Sequence, residues 1–226
     1  MHNILENIPD RILRFAEGAL AQANQHAVFA DPGNEHWDFM SVVNAAHAGE
    51  LFLKAIIAKE HPLLVFKDVF SLDDGTSEFD LEKLIARGRT HDFEKLPQVL
   101  WVTTGRRIPE PSSYEAIRKL RNSVQHFCAD EKHDFRSVAL SFLYENIDPL
   151  IRDVFGLYAI KYHEDHGVGY DYVVGSLVRR EIRFSLPDDF TLNEIDLLDE
   201  AKDCSLKYRN WLKKECSRIG RADLFS

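Results

Sequence analysis

Apolar residues recur at helical spacing along most of this chain, and this periodicity restricts the possible fold more than any other feature. In the first predicted helix, the residues on one side are Ile8, Ile12, Phe15, Ala19 and Ala23. The same spacing predicts helices over residues 4–29, over 37–60, from about 92, from an N-cap at Ser112 or Ser113, and over 134–160. We therefore expect a mainly α-helical fold.

The pattern changes after Tyr162. Residues 181–187 alternate between polar and apolar, which predicts one short strand, and residues 193–218 return to helical spacing. We therefore divide the chain into a helical domain, residues 1–162, and a C-terminal extension, residues 163–226.

Composition excludes several classes of protein. A net charge of −9 argues against a protein that coats nucleic acid, and no apolar run reaches the length needed to span a bilayer. The N-terminal residues lack the basic and apolar regions of a secretory signal. The cysteines Cys128, Cys204 and Cys216 are odd in number and widely spaced, so we expect reduced thiols in a cytoplasmic protein without a membrane partner.

One part of this acidic chain is basic. Residues 87–121 contain eight Lys or Arg against four acidic residues, a net charge of +4. The ordinary interpretation is a solvated basic face. The alternative is a local site for an anion.

The basic stretch ends in a segment, residues 121–126, that combines Arg121, Asn122 and His126. Arginine can bind two phosphate oxygens, and neutral imidazole can accept a proton near pH 7. On an ideal helix Asn122 and His126 are one turn apart on the polar side, whereas Arg121 lies about 140° from His126, at the edge of the apolar side. This offset suggests a site shared by two copies of the helix across a two-fold axis.

The Arg-Asn-x-x-x-His pattern on a fourth predicted helix resembles the HEPN superfamily of ribonucleases and nucleotide-binding modules. The alanine-rich segment 44–55 and the segment 90–96 also look like parts of such proteins, and the resemblance covers roughly residues 3–160. It implies an antiparallel helical bundle, with the C-terminal extension left unexplained.

Family members with this motif typically form homodimers that cleave RNA without a metal or other cofactor and leave a 2′,3′-cyclic phosphate. The resemblance gives the catalytic roles to Arg121, Asn122 and His126. It also implies a toxin or an effector of antiviral defence, with an antitoxin or regulatory protein as a possible partner. One toxin branch has a tyrosine where this chain has Cys128, so that branch's tyrosine modification and its particular antitoxin do not carry over.

Other residues carry weaker signals. Glu50 precedes Lys54 by four residues, which predicts a helical salt bridge, although Glu50 or His47 would line the site if their helix faced the 121–126 helix. His163 and His166 have acidic residues between them, but no third metal ligand stands at a diagnostic spacing.

Two further groups are interpreted as packing residues. On an ideal helix Cys128 points into the core rather than toward a substrate. The three tryptophans, which we expect in the core or an interface rather than stacked on bases, are Trp37, Trp101 and Trp211.

From these residues and this resemblance we expect a metal-independent endoribonuclease. Two alternatives remain: a non-catalytic HEPN module that binds a nucleotide or a partner, and a structural helical dimerisation protein. A set containing Arg121, Asn122 and His126 argues mildly against the first, because a binding module does not need a group that transfers protons.

Overall fold

A computed structural model of the protein describes residues 3–29, 33–34, 36–70, 75, 79–126, 134–163, 167 and 169–225. Within these residues the fold is mainly α-helical, as the periodicity predicts. No strand forms in this described part, where a single antiparallel bridge joins Phe66 to Thr90.

Two long antiparallel helices form the centre of the fold. They are α2, Ile8–Val28, and α3, His36–Glu60, and a short helix α1, Asn3–Glu6, precedes them. The buried alanines of both helices permit close packing, and α3 also contacts the helices that follow. The single helix predicted for residues 4–29 is divided at Asn7, because Pro9 occupies the first turn of α2, where its missing N–H is not needed.

Three helices follow in the next part of the chain: α4, Leu81–Arg87; α5, Leu96–Thr104; and α6, Pro111–Gln125. Gly105 ends α5 in the left-handed conformation, with φ of 72°. The predicted N-cap of α6 is wrong. Pro111 starts the helix and Glu110 precedes it, because proline already has the φ of a first helical residue.

The helix predicted for residues 134–160 is interrupted. It consists of α7, Phe135–Phe142, a π-helical turn, Leu143–Ile147, and α8, Asp148–Phe155. Gly156 ends α8 with φ of 69°, a conformation that glycine adopts without steric cost. The π turn buries the side chain of Asn146, which accepts a hydrogen bond from the Glu110 N–H at 2.7 Å and thereby fixes the start of α6.

The C-terminal extension contains α9, Asp171–Arg179, α10, Leu197–Glu200, and α11, Leu206–Arg218. The helix predicted for residues 193–218 is confirmed only over Leu197–Glu200 and Leu206–Arg218, which residues 201–205 separate, and the strand predicted for residues 181–187 is wrong. The segment forms neither helix nor strand, and no second strand pairs with it in the described part of the chain. Its alternation reflects packing of Ile182, Phe184 and Leu186 on the core.

One buried carboxylate joins this extension to the helical domain. Asp148, at the start of α8, accepts hydrogen bonds from the Ala159 N–H at 2.9 Å and the Ser185 N–H at 2.6 Å. Buried apolar side chains of α9 and α11 belong to the same continuous core as α2 and α3. The division of the chain at residue 162 stays a prediction.

Helix α3 is long and apolar enough to cross a membrane by length and composition alone. In this fold 67% of its most apolar window is buried inside the protein. Its apolar character is therefore accounted for by its place at the centre of the core.

Candidate functional site

Helix α6 orients the segment that the sequence singles out. Tyr114, Ile117 and Leu120 are buried, as predicted for its apolar side, and Val124 packs against the same core. This anchoring fixes the rotation of the helix and so decides where Arg121 points.

Arg121 points toward α3 at the edge of the core. Its side chain is 26% exposed, and its guanidinium lies 3.7 Å from Oε2 of Glu50 and 5.9 Å from the centre of the Phe93 ring. The distance to Glu50 is within ion-pair range but longer than a hydrogen bond. Arg121 is thus held in place while its N–H donors make no hydrogen bond to Glu50.

Glu50 bridges two cations. Its Oε1 accepts a hydrogen bond from Lys54 Nζ at 2.6 Å, and Lys54 also donates to Thr90 Oγ1 at 3.0 Å. The predicted salt bridge between Glu50 and Lys54 is therefore confirmed, and Glu50 also lies beside Arg121, which the sequence left open. His47, one turn earlier on α3, is exposed to solvent.

We refer to Glu50, Lys54, Thr90 and Arg121 as the charged cluster. One carboxylate against two cations gives it a formal charge of +1. Sequence reasoning missed Thr90 and did not commit to Glu50. The sequence did contain a signal for Glu50, since it forms a charged pair with Lys54 in the apolar middle of α3. Buried charges require partners, so such a pair indicates that another element lies close to it.

The charges of this cluster contribute to the pKa shifts of neighbouring titratable groups. Burial raises the pKa of Tyr114, and the nearby negative charge of Glu50 raises it further. Burial lowers the pKa of His91, and the positive charges of Lys67 and Lys54 lower it further, while Asp92 opposes them. The neutral form of the His91 imidazole, next to Thr90, is thus favoured, and the sequence did not single this residue out.

Asn122 and His126 lie at the exposed C-terminal end of α6. His126 is the C-cap, and its backbone N–H donates to the Asn122 carbonyl at 3.1 Å, so the two residues are one turn apart as expected. Both side chains are exposed, whereas Arg121 is turned toward Glu50. The fold therefore joins Arg121 to α3 and leaves Asn122 and His126 facing solvent.

The remaining candidates from the sequence are cysteines, a histidine and the tryptophans. Cys128 and His166 lie outside the described residues. Trp101 is 52% exposed, so of its two expected places the core is wrong and an interface stays a prediction, whereas Trp37 and Trp211 are partly buried against other aromatic rings. Cys204 and Cys216 are free and buried.

The arrangement is suited to binding an oxyanion. A phosphate oxygen approaching Arg121 would find a planar guanidinium that is already oriented by Phe93 and Glu50, with the second cation, Lys54, behind the same carboxylate. Exposed Asn122 and His126 supply an amide and an imidazole at the end of the same helix. Comparisons of the chain with models of known protein families, with curated proteins and with solved structures found no match, so the fold and this site are interpreted from the chain itself.

Proposed function

We propose that this protein is a metal-independent endoribonuclease whose active site contains Arg121, Asn122 and His126. The observation that carries the proposal is the position of Arg121. Its guanidinium lies beside the Phe93 ring and 3.7 Å from the Glu50 carboxylate, and the exposed imidazole of His126 lies at the end of the same helix. The sequence resemblance to the HEPN superfamily supports the same conclusion.

The proposed reaction uses the nucleophile that RNA already contains. The imidazole of His126 accepts the proton of the 2′-hydroxyl, the 2′-oxygen attacks phosphorus, and the bond from phosphorus to the 5′-oxygen breaks. The 5′-oxygen takes a proton from water, which gives a 2′,3′-cyclic phosphate and a 5′-hydroxyl. Arg121 stabilises the negative charge that develops on the phosphoryl oxygens, and Asn122 donates to the phosphate or orients the imidazole.

Glu50 has a supporting role in this proposal. It holds Arg121 without consuming its hydrogen bonds, and it neutralises part of the charge of Lys54. A phosphate that binds Arg121 replaces a weak ion pair with stronger charge-assisted hydrogen bonds. Glu50 is therefore a positioning residue rather than a proton acceptor.

We further propose a homodimer, because Arg121 faces α3 whereas His126 faces solvent. A second copy of α6 across a two-fold axis would bring the imidazole of one chain toward the guanidinium of the other. By resemblance, the biological setting is a toxin or an antiviral effector in the cytoplasm, controlled by an antitoxin or regulatory protein.

Cleavage of a mixed RNA pool in the presence of EDTA tests the proposal. We expect products with 2′,3′-cyclic phosphate and 5′-hydroxyl ends, and no cleavage of DNA, which lacks the 2′-hydroxyl. Products with 3′-hydroxyl ends, or cleavage that requires Mg²⁺, would contradict the mechanism.

Single substitutions separate chemistry from folding. His126→Ala and Arg121→Ala should each abolish cleavage, while surface changes of this kind usually alter stability by only about 0.5 kcal/mol. Arg121→Ala can cost more because its stem packs beside Phe93. The matched control is Val124→Ala on the apolar side of the same helix, which should lower the melting temperature and retain cleavage. Binding of a nucleotide or a partner without any cleavage would instead favour a non-catalytic module.

A further inference from the structure

A groove between α5 and α6 lies outside the charged cluster. Its volume is about 420 Å³, and its walls are apolar, formed by Pro97, Trp101, Ile108, Pro111 and Tyr114. This volume falls within the range of about 300–1,000 Å³ typical of small-molecule sites. We call it the α5–α6 groove.

Trp101 gives this groove an exposed aromatic surface. The residue is 52% exposed, and the guanidinium of Arg107 lies 5.7 Å from the centre of its ring. Exposed tryptophan costs hydrophobic free energy, while a ring beside an arginine provides two planar surfaces on which a nucleobase can stack.

The charges at the rim are not balanced. Arg107, which lines the groove, and Arg106, its neighbour in the chain, have no acidic partner within the described residues. The acid on the opposite edge, Glu115, is already paired with Arg118 at 2.7 Å and Lys119 at 3.4 Å. The unpaired charge beside the apolar walls is therefore positive, which complements phosphate.

The groove and the charged cluster lie along one face of α6. On an ideal helix Tyr114, Arg118 and Arg121 fall within about 60° of one another, and Tyr114 and Arg121 are about 10 Å apart along the axis. Phe93 contacts both the groove and the charged cluster. Its ring lies 4.7 Å from the Tyr114 ring and also packs against the Arg121 guanidinium. At about 3.4 Å per stacked nucleotide, 10 Å corresponds to about three nucleotides.

We propose that the α5–α6 groove binds an unpaired base of single-stranded RNA, with neighbouring phosphates on Arg106 and Arg107, about three nucleotides from the phosphate that Arg121 binds. The position relative to Arg121 rests on the proposed ribonuclease function, and the base site itself does not. Stacking between Trp101 and a base tolerates any sequence, whereas the requirement for a single strand follows because a paired base cannot enter the groove.

Binding of 2′-O-methyl RNA tests the base site without cleavage, because the methyl group blocks the attacking oxygen. Using the full chain and a mixed-sequence oligonucleotide of about ten nucleotides, we expect Trp101→Ala to weaken binding about 5- to 100-fold, as for loss of one stacked base. Trp101→Phe should retain most of the affinity. The matched control is Val102→Ala, an adjacent residue that is 73% exposed and does not line the groove, and it should bind normally.

A second variant removes charge instead of the ring. Arg107→Ala should weaken binding and reduce the slope of log affinity against log salt by about one phosphate contact. Circular dichroism should show the same helical content for all variants, because Trp101 and Arg107 are exposed.

The outcomes separate the two proposals. If Trp101→Ala and Arg107→Ala both bind RNA like wild type, the base site is wrong even if RNA is cleaved. If polyproline binds the groove in a Trp101-dependent manner while RNA binding does not depend on Trp101, the groove is a peptide site and the inference is overturned. If wild type cleaves nothing but its RNA binding depends on Trp101, the ribonuclease proposal fails and the base site stands.

Discussion

At the scale of single residues, the position of Glu50 changes how the site is understood. A salt bridge with Lys54 on one helix would be worth only about 0.3–0.5 kcal/mol at an exposed position. Here the pair is largely shielded from solvent and also contacts Arg121 and Thr90, which lie on other elements. The same carboxylate therefore satisfies a buried lysine and orients the arginine that we propose binds phosphate.

Asp148 provides a prediction at the same scale. Burial raises its pKa to about 6, against hydrogen bonds from Ala159 and Ser185 that lower it. The folded protein therefore keeps a proton that the unfolded chain releases between about pH 4 and pH 6, so the free energy of unfolding should fall as pH rises through this window. A shift of this size corresponds to about 3 kcal/mol. Thermal unfolding across this range measures it.

The comparison for that experiment is Asp148→Asn, which cannot titrate. Its amide places an N–H₂ group near a backbone donor, so the variant should be less stable overall but lack this part of the pH dependence. Because every other carboxyl is common to both proteins, the difference between the two curves isolates Asp148. Parallel curves would show that folding leaves the pKa of Asp148 unchanged.

At the scale of helices, Gly49 sets the distance between α3 and α7. A Cβ at this position would lie 2.5 Å from Cε1 of Phe142, whose side chain is fully buried. We expect Gly49→Ala to destabilise the fold by about 1–3 kcal/mol through overpacking, despite the better helix propensity of alanine. Chemical denaturation measures the change.

Gly18 on α2 is the matched control, because no atom lies within 4 Å of its added Cβ. Gly18→Ala should leave stability unchanged or raise it by up to about 1 kcal/mol. In the double variant Gly49→Ala/Phe142→Leu, the smaller side chain should recover part of the loss. Equal stability of Gly49→Ala and wild type would mean that α3 and α7 can move apart without cost.

At the scale of the whole molecule, the contact of Arg121 with Glu50 and the exposure of His126 at the end of the same helix predict a site shared between two chains. Arg121→Ala and His126→Ala should each be inactive alone. After the two variants are mixed and re-associated, heterodimers would contain one intact site made of Arg121 from one chain and His126 from the other. Random pairing then restores about a quarter of wild-type activity.

Activity measured on the re-associated mixture, with light scattering to confirm a dimer, checks this prediction. The double variant Arg121→Ala/His126→Ala mixed with wild type is the control, since its heterodimers have no intact shared site. A monomer with full activity, or a mixture as inactive as its components, would rule out the shared site.

Local sequence patterns are enough to predict the helical class, most helix positions and the location of the charged segment. These features depend on neighbours within about one turn: apolar periodicity, proline at helix starts, and the spacing of Glu50 to Lys54. The apolar side of α6, on which Tyr114, Ile117 and Leu120 are buried, could be predicted for the same reason.

What those residues contact depends on how the helices pack against one another. Residues 181–187 alternate like a strand, but a strand requires a partner, which no local pattern specifies. Trp101 was expected in the core or an interface, yet with α5 and α6 both packed on α3 it lies at an exposed groove between them. Arg121 meets Glu50 across 71 positions of sequence, because the rotation of α6 is fixed by its buried side chains and the approach of α3 by its small residues. Such contacts depend on how helices pack, and helical periodicity determines which side of each helix is buried but not what it is buried against.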